Sequence, residues 1–229
     1  MNLNNEYFSK VIVALDDNDI YRLIDIVNQL SYFVNFYKVG LQSFISIGKE
    51  LIKILKSLNC KVFLDLKIYD TPNTIFKTVE EFEKLNIDYF TIDTKCDIKI
   101  FKELSKNTNM KIIGIGNLTS DSSFNIREEI LNYLDGHITP FNYLNEIPNN
   151  LIKITPSIRP VWSNVSYSHQ NNTTTPLEAL YNGSDYIILG RTLTKEKNML
   201  ESLYRMIVSD KKYIKKINDK YVDIRNLTN

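Results

Sequence analysis

Asp65, Lys67 and Asp70 fall close together in the stretch Val62-Phe63-Leu64-Asp65-Leu66-Lys67-Ile68-Tyr69-Asp70-Thr71-Pro72-Asn73-Thr74. The stretch begins as an apolar strand. Alternation along a strand puts Asp65 and Lys67 on one face and Leu64 and Leu66 on the other. An ionised group in a low-dielectric interior is very costly unless it is paired. Asp65 and Lys67 therefore either neutralise each other or stand at a strand end beside a cleft. Asp70 comes where the strand should end, and Pro72 marks the loop. An acid–base–acid cluster at the carboxyl end of a strand is where an α/β enzyme keeps its chemistry. A solvated strand end is the competing reading of this stretch taken alone.

The elements that position such a cluster follow from the rest of the chain. Short apolar runs predict strands at Lys10–Leu15, Asn35–Val39, Lys61–Lys67, Tyr89–Ile92, Lys111–Ile115, Leu134–Ile138, Ile152–Thr155 and Tyr186–Leu189. Amphipathic segments predict helices at Asp19–Phe33, Gln42–Leu58, Thr74–Leu85 and Ile98–Asn107, with Asn73 or Thr74 capping the third. Strand–helix alternation over 229 residues predicts a single-domain (β/α)8 TIM barrel spanning residues 1–229. Residues 211–229 form an extra helix or a tail in this scheme. An open doubly wound sheet is the structural competitor, but it calls for a glycine-rich loop after the first strand. Here Leu15 is followed by Asp16-Asp17-Asn18.

Composition narrows the function classes. With 43% hydrophobic and 24% charged residues, the chain can bury a large core. A net charge of +1 gives no global pull toward nucleic acid or an anionic membrane. No apolar run approaches the roughly 18 residues of a membrane span. The opening residues Met1-Asn2-Leu3-Asn4-Asn5-Glu6 lack the features of a signal peptide. Cys60 and Cys96 form no motif and point to a reducing compartment, so a cytoplasmic protein is expected. Only His137 and His169 are available, which argues against a histidine-rich metal site.

In a barrel, reactive groups belong at the carboxyl ends of strands. Asp16, Lys38, the Asp65–Lys67–Asp70 cluster, Ser120 and Arg191 all map there. Each also has a plain structural reading: Asp16 as a helix cap, Lys38 snorkelling from an edge, Ser120 satisfying its own loop, Arg191 as a solvated rim charge. Gly190 lets a ligand approach the backbone, and the Arg191 guanidinium can grip a phosphate. The polar segment from Arg159 to Pro176 is long for a strand–helix connection and is expected to close over a ligand.

Four segments in this order resemble the orotidine 5′-phosphate decarboxylase family. They are Lys38-Val39-Gly40, Asp65 through Thr74, Thr155-Pro156-Ser157-Ile158-Arg159-Pro160, and Asp185-Tyr186-Ile187-Ile188-Leu189-Gly190-Arg191. The resemblance runs from Ala14-Leu15-Asp16 to Gly190-Arg191. It implies decarboxylation of orotidine 5′-monophosphate to uridine 5′-monophosphate with no metal or cofactor. It further implies that Lys38, Asp65, Lys67 and Asp70 form an alternating charged array, with Lys67 stabilising and protonating a C6 carbanion. Asp16 would hold the ribose, Ser120 the pyrimidine, and Gln170 and Arg191 the phosphate. Asp70, with Thr74 beside it, would complete the site of a second subunit in a homodimer.

Three positions depart from the family pattern. Asp93 stands where many relatives have histidine, Asn172 replaces an arginine of some bacterial relatives, and Ser157 replaces glycine. The latter two are expected to weaken phosphate binding or alter loop motion. Related Mg2+-dependent sugar-phosphate lyases share the Asp-x-Lys-x-x-Asp pattern. They generally carry an acid where this chain has Lys38, whose charge would repel the metal. A catalytically silent nucleotide-binding protein is the remaining alternative, disfavoured by the complete charged set.

Overall fold

The computed structural model describes residues 7–116, 127–162 and 173–206. Eight parallel strands close into a barrel in sequence order. They are β1 (Val11–Ala14), β2 (Phe36–Gly40), β3 (Lys61–Ile68), β4 (Tyr89–Asp93), β5 (Lys111–Ile115), β6 (Gly136–Ile138), β7 (Ile152–Thr155) and β8 (Tyr186–Leu189). The helices are α1 (Ile20–Leu30), α2 (Leu41–Ile47), α3 (Lys49–Ser57), α4 (Pro72–Lys84), α5 (Ile98–Asn107), α6 (Glu128–Leu131), α7 (Pro176–Tyr181) and α8 (Arg191–Thr194), with a 3-10 turn at Phe141–Glu146. Residues 199–206 are also helical. The expected barrel is present.

Strands covered on both faces read as nearly continuous apolar runs, and Val11-Ile12-Val13-Ala14 is buried throughout. Val11 and Val13 pack outward on the helical layer, while Ile12 and Ala14 point into the barrel. Phe36, Tyr89 and Tyr186, each the first residue of its strand, meet inside the floor with ring centroids 4.8–6.3 Å apart. This aromatic plug seals the amino-terminal end and leaves the carboxyl end as the open one.

Three aspartates brace that floor. Asp88, Asp135 and Asp185 each directly precede an even-numbered strand. Each accepts the backbone N–H of the second residue in the strand before: Val62 at 2.8 Å, Ile112 at 2.9 Å and Lys153 at 2.8 Å. Conserving a strand's edge hydrogen bonds in this way leaves few buried donors unsatisfied.

The helices follow their apolar spacing. α1 buries Leu23, Ile26, Val27 and Leu30 on one stripe and is capped by Asp19, whose carboxylate accepts from Tyr21 N–H at 2.9 Å. Two expectations require correction. The single helix over Gln42–Leu58 is two, because Gly48 adopts φ +74°, a left-handed conformation that ends α2 and begins α3. The α4 cap is Thr71 rather than Asn73 or Thr74, because Pro72 takes the first helical position, where its missing N–H costs nothing.

Candidate active site

β1, β2 and β3 are neighbours in the barrel, with Ala14 beside Lys38 and Gly40 beside Asp65. Their carboxyl ends bring four charged side chains into one chain of contacts. Lys38 Nζ lies 3.3 Å from Asp16 Oδ1 and 3.4 Å from Asp65 Oδ2. Lys67 Nζ lies 2.8 Å from Asp65 Oδ1. The order Asp16, Lys38, Asp65, Lys67 alternates in sign. The Lys38 and Asp65 side chains are only 10% and 8% exposed, so the centre of the array is dry while its two ends reach the cleft.

Burial alone would neutralise both central groups, but their partners reverse that. Desolvation pulls the Lys38 pKa down, and the Asp65 and Asp16 carboxylates more than offset it, leaving it above its usual value. Desolvation likewise pushes Asp65 up. The Lys38 and Lys67 charges, with hydrogen bonds from Lys67 and Thr91, bring it below the ordinary carboxylate range. Both therefore stay ionised around neutral pH. The array can thus present a fixed ammonium beside a fixed carboxylate without proton exchange between them.

Two residues that sequence reasoning left out of the site shape it. Gly40 is one: a Cβ there would fall 2.8 Å from Asp16 Oδ1 and 3.1 Å from Lys38 Nζ, so glycine makes room for the pair. Thr91 is the other. Its fully buried hydroxyl donates to Asp65 Oδ1 at 3.1 Å and accepts the Lys67 N–H at 2.7 Å. A threonine amid the apolar run of β4 was the available signal, since a buried hydroxyl needs a partner.

Asp70 is not part of this contact chain. It is exposed just beyond β3 and forms no ion pair among the described residues. The Thr71 N–H, at 2.6 Å, and the Thr74 hydroxyl hold its carboxyl below the usual range. Thr74 also meets the Thr71 hydroxyl at 3.0 Å. Both thus sit together on the rim, at the start of α4.

Beside Lys38 the barrel mouth opens into a cavity of about 190 Å³, lined by Asp16, Lys38, Ser157, Arg159, Gly190 and Arg191 among others. A Cβ on Gly190 would meet only Ala14 Cβ, at 3.8 Å, so glycine here keeps the cavity wall open. Arg22 ties the two sides of this region together: Nη2 donates to Thr194 O at 3.1 Å and Nε lies 3.1 Å from Asp17 Oδ2. It thereby fixes α8, which begins with Arg191, against the loop that carries Asp16. A larger groove of about 620 Å³ between α4 and α5 contains none of these charged pairs.

The three departures fare differently. Asp93 ends β4 with Oδ1 accepting the Lys95 N–H at 2.8 Å, a local turn contact. Ser157 adopts φ +61°, the left-handed region that suits glycine, and its buried Oγ has no hydrogen-bond partner among the described residues. Asn172 lies outside the described residues, as do Ser120, Gln170 and the tail 211–229.

Comparison with known proteins bears on the whole barrel. Residues 9–206 match the family model described as Orotidine 5'-phosphate decarboxylase / HUMPS family. The chain is 32% identical to orotidine 5'-phosphate decarboxylase from Staphylococcus saprophyticus, across 85% of this chain and 95% of the relative. It is 33% identical to the enzyme of that name from Staphylococcus aureus, with the same coverage. Among solved structures, orotidine 5'-phosphate decarboxylase from Lactobacillus acidophilus superposes with a TM-score of 0.69 at 25% identity, covering 88% of this chain and 98% of that one. An uncharacterized conserved protein from Geobacillus kaustophilus shares the fold, with a TM-score of 0.68 at 22% identity. An alternating Asp–Lys–Asp–Lys array at the mouth of a barrel matched over nearly its full length places this chain in the orotidine 5′-phosphate decarboxylase / HUMPS family.

Proposed function

We propose that this protein decarboxylates orotidine 5′-monophosphate to uridine 5′-monophosphate, a step of pyrimidine biosynthesis, with Lys67 as the group that handles charge and proton. The observation that carries this reading is the pairing of Lys38 and Lys67 on either side of a buried Asp65. Breaking the bond between C6 and the carboxylate leaves its electron pair on C6. That carbanion is poorly delocalised, so a preorganised ammonium beside it lowers the barrier. Lys67 then gives a proton to C6, carbon dioxide departs, and solvent reprotonates the amine. Asp65 would lie near the leaving carboxylate and hold Lys67 in place. The charges of two acids and two lysines cancel, which eases the burial of the array.

The remaining roles are assigned on position. Asp16, at the exposed end of the array, suits the ribose hydroxyls. Arg191, at the cavity beside Gly190, suits the phosphate, and remote phosphate binding can contribute to the barrier reduction at C6. Ser120 is assigned to the pyrimidine and Gln170 to the phosphate on family resemblance. Asp70 and Thr74 are assigned to the neighbouring site of a homodimer. Their support is the exposed Asp70 with no ion pair among the described residues, on a rim that also exposes Leu41, Ile45 and Tyr69. A cytoplasmic location is proposed from the two free cysteines.

Related Mg2+-dependent sugar-phosphate lyases are the competing enzymatic reading. Two ammonium groups flanking Asp65 disfavour a divalent cation there. An ultraviolet assay of purified protein with orotidine 5′-monophosphate, with and without chelator, tests the reading. Turnover indifferent to chelator is expected. Chelator-sensitive activity on a sugar phosphate, with the nucleotide ignored, would replace it. Tight binding of uridine 5′-monophosphate without turnover would identify a silent binding protein.

A further inference from the structure

β3 and β4 fall out of register at the site. Leu64 pairs with Phe90 and Ile68 pairs with Ile92. Between these pairs β3 places three residues, Asp65, Leu66 and Lys67, where β4 places one, Thr91. The extra residues bulge, and Lys67 takes φ +53°, an uncommon conformation for a side chain of its size. Such a bulge removes main-chain partners from the strand that carries it. A buried N–H left without one is costly, because it gives up its bond to water and gains none in return.

Thr91 supplies a partner for one of these main-chain groups and ties it to the Asp65 carboxylate. A hydroxyl has one proton to give and lone pairs to accept. Here it accepts the Lys67 N–H at 2.7 Å and gives its proton to Asp65 Oδ1 at 3.1 Å. Asp65 Oδ1 also receives Lys67 Nζ at 2.8 Å, and Oδ2 faces Lys38 Nζ at 3.4 Å. The carboxylate is therefore held from three directions. Valine would fill the same volume and suit the strand as well, but it could make neither bond.

We propose that Thr91 is a positioning residue for the reaction: its hydroxyl fixes the left-handed main chain at Lys67 and the plane of the Asp65 carboxylate, and so sets the spacing between ammonium and carboxylate. This rests on the reading of the array as a decarboxylation site. The role is to hold reacting groups within the small tolerance that catalysis allows, where misplacement by about 1 Å can cost about a hundredfold.

Thr91→Val removes the hydroxyl at constant volume, and Thr91→Ser keeps it while losing a methyl. The expected result for Thr91→Val is a kcat about 10- to 100-fold lower with uridine 5′-monophosphate affinity within about threefold of wild type. The acid limb of kcat should also move to higher pH, because Asp65 loses a hydrogen bond that favours its ionised form. Thr91→Ser should restore most of kcat and return the limb. A packing role predicts the opposite ranking, with serine as poor as valine or worse and the limb unmoved; either finding overturns the proposal. The 13C carboxyl resonance of Asp65, followed against pH in all three proteins, reads the hydrogen bond without reference to turnover. Absent turnover in wild type would remove the decarboxylase reading, whereas an unmoved Asp65 titration in Thr91→Val would remove the role of Thr91. If Thr91→Val fails to fold, Thr91→Ser against Thr91→Ala isolates the same hydroxyl.

Discussion

Lys38 owes its place to residues that carry no charge. Gly40 leaves the volume that the Asp16–Lys38 pair occupies, and register brings Gly40 beside Asp65. The charged residues themselves were legible in the sequence, because an ion inside an apolar run has few stable explanations. The contacts that hold them were not, because they cross between strands distant in the chain. Ser157 is the converse case, a residue whose cost is visible in both sequence and structure. It sits at φ +61° in the cavity wall, and its Oγ has no hydrogen-bond partner among the described residues. Left-handed backbone costs a non-glycine residue roughly 1–2 kcal/mol. Glycine gives some of that back through the greater freedom of its unfolded chain. Ser157→Gly is therefore expected to raise Tm by about 2–4 °C in a thermal melt of the ligand-free protein. A lower Tm would show that the side chain stabilises this turn.

Strands were the most legible elements, and boundaries the least. All eight strands appear at the sites of their apolar runs, because burial on both faces leaves little room for polar residues. The helix break at Gly48 had a signal, a lone glycine within a helical pattern, that the amphipathic spacing overrode. The bulge in β3 had none: strict alternation already put Asp65 and Lys67 on one face. β6 carries a different liability. Ile138 faces the barrel interior, so His137 points into the helical layer, where it is 1% exposed and its Nδ1 meets Thr139 Oγ1 at 3.2 Å. Burial pushes its pKa down to about 4. The unfolded chain, with a histidine near 6.5, then binds the proton more readily than the folded one. Stability is complete above that value and falls as pH drops toward 4, by on the order of 3 kcal/mol across the window. Asp65, with its pKa already lowered, loses its contribution only at more acidic pH. Chemical denaturation between pH 7.5 and 4.5 should show this slope in wild type and a flatter one in His137→Asn. Equal slopes would assign the acid sensitivity elsewhere.

At the scale of the molecule, the barrel separates its tasks by end. Aspartate braces and an aromatic plug close the floor, while β1, β2 and β3 deliver the charged array to the mouth. The order of chemistry-bearing residues along the chain was sufficient to foresee this, because a barrel closes its strands in sequence order. Asp70 belongs to a larger scale still. If each site takes Asp70 from the partner subunit, inactive Asp65→Ala and Asp70→Ala proteins should complement each other. A mixed dimer contains one site bearing both changes and one bearing neither, so random exchange should recover about a quarter of wild-type activity. No recovery after demonstrated exchange would place Asp70 in its own subunit's site. The claim on which all of this depends is the charge and proton role of Lys67. Its most direct measurement is orotidine 5′-monophosphate turnover by Lys67→Ala alongside the affinity of that variant for uridine 5′-monophosphate. Turnover is expected to fall by about a thousandfold or more with product binding largely kept; near-normal turnover would contradict the account.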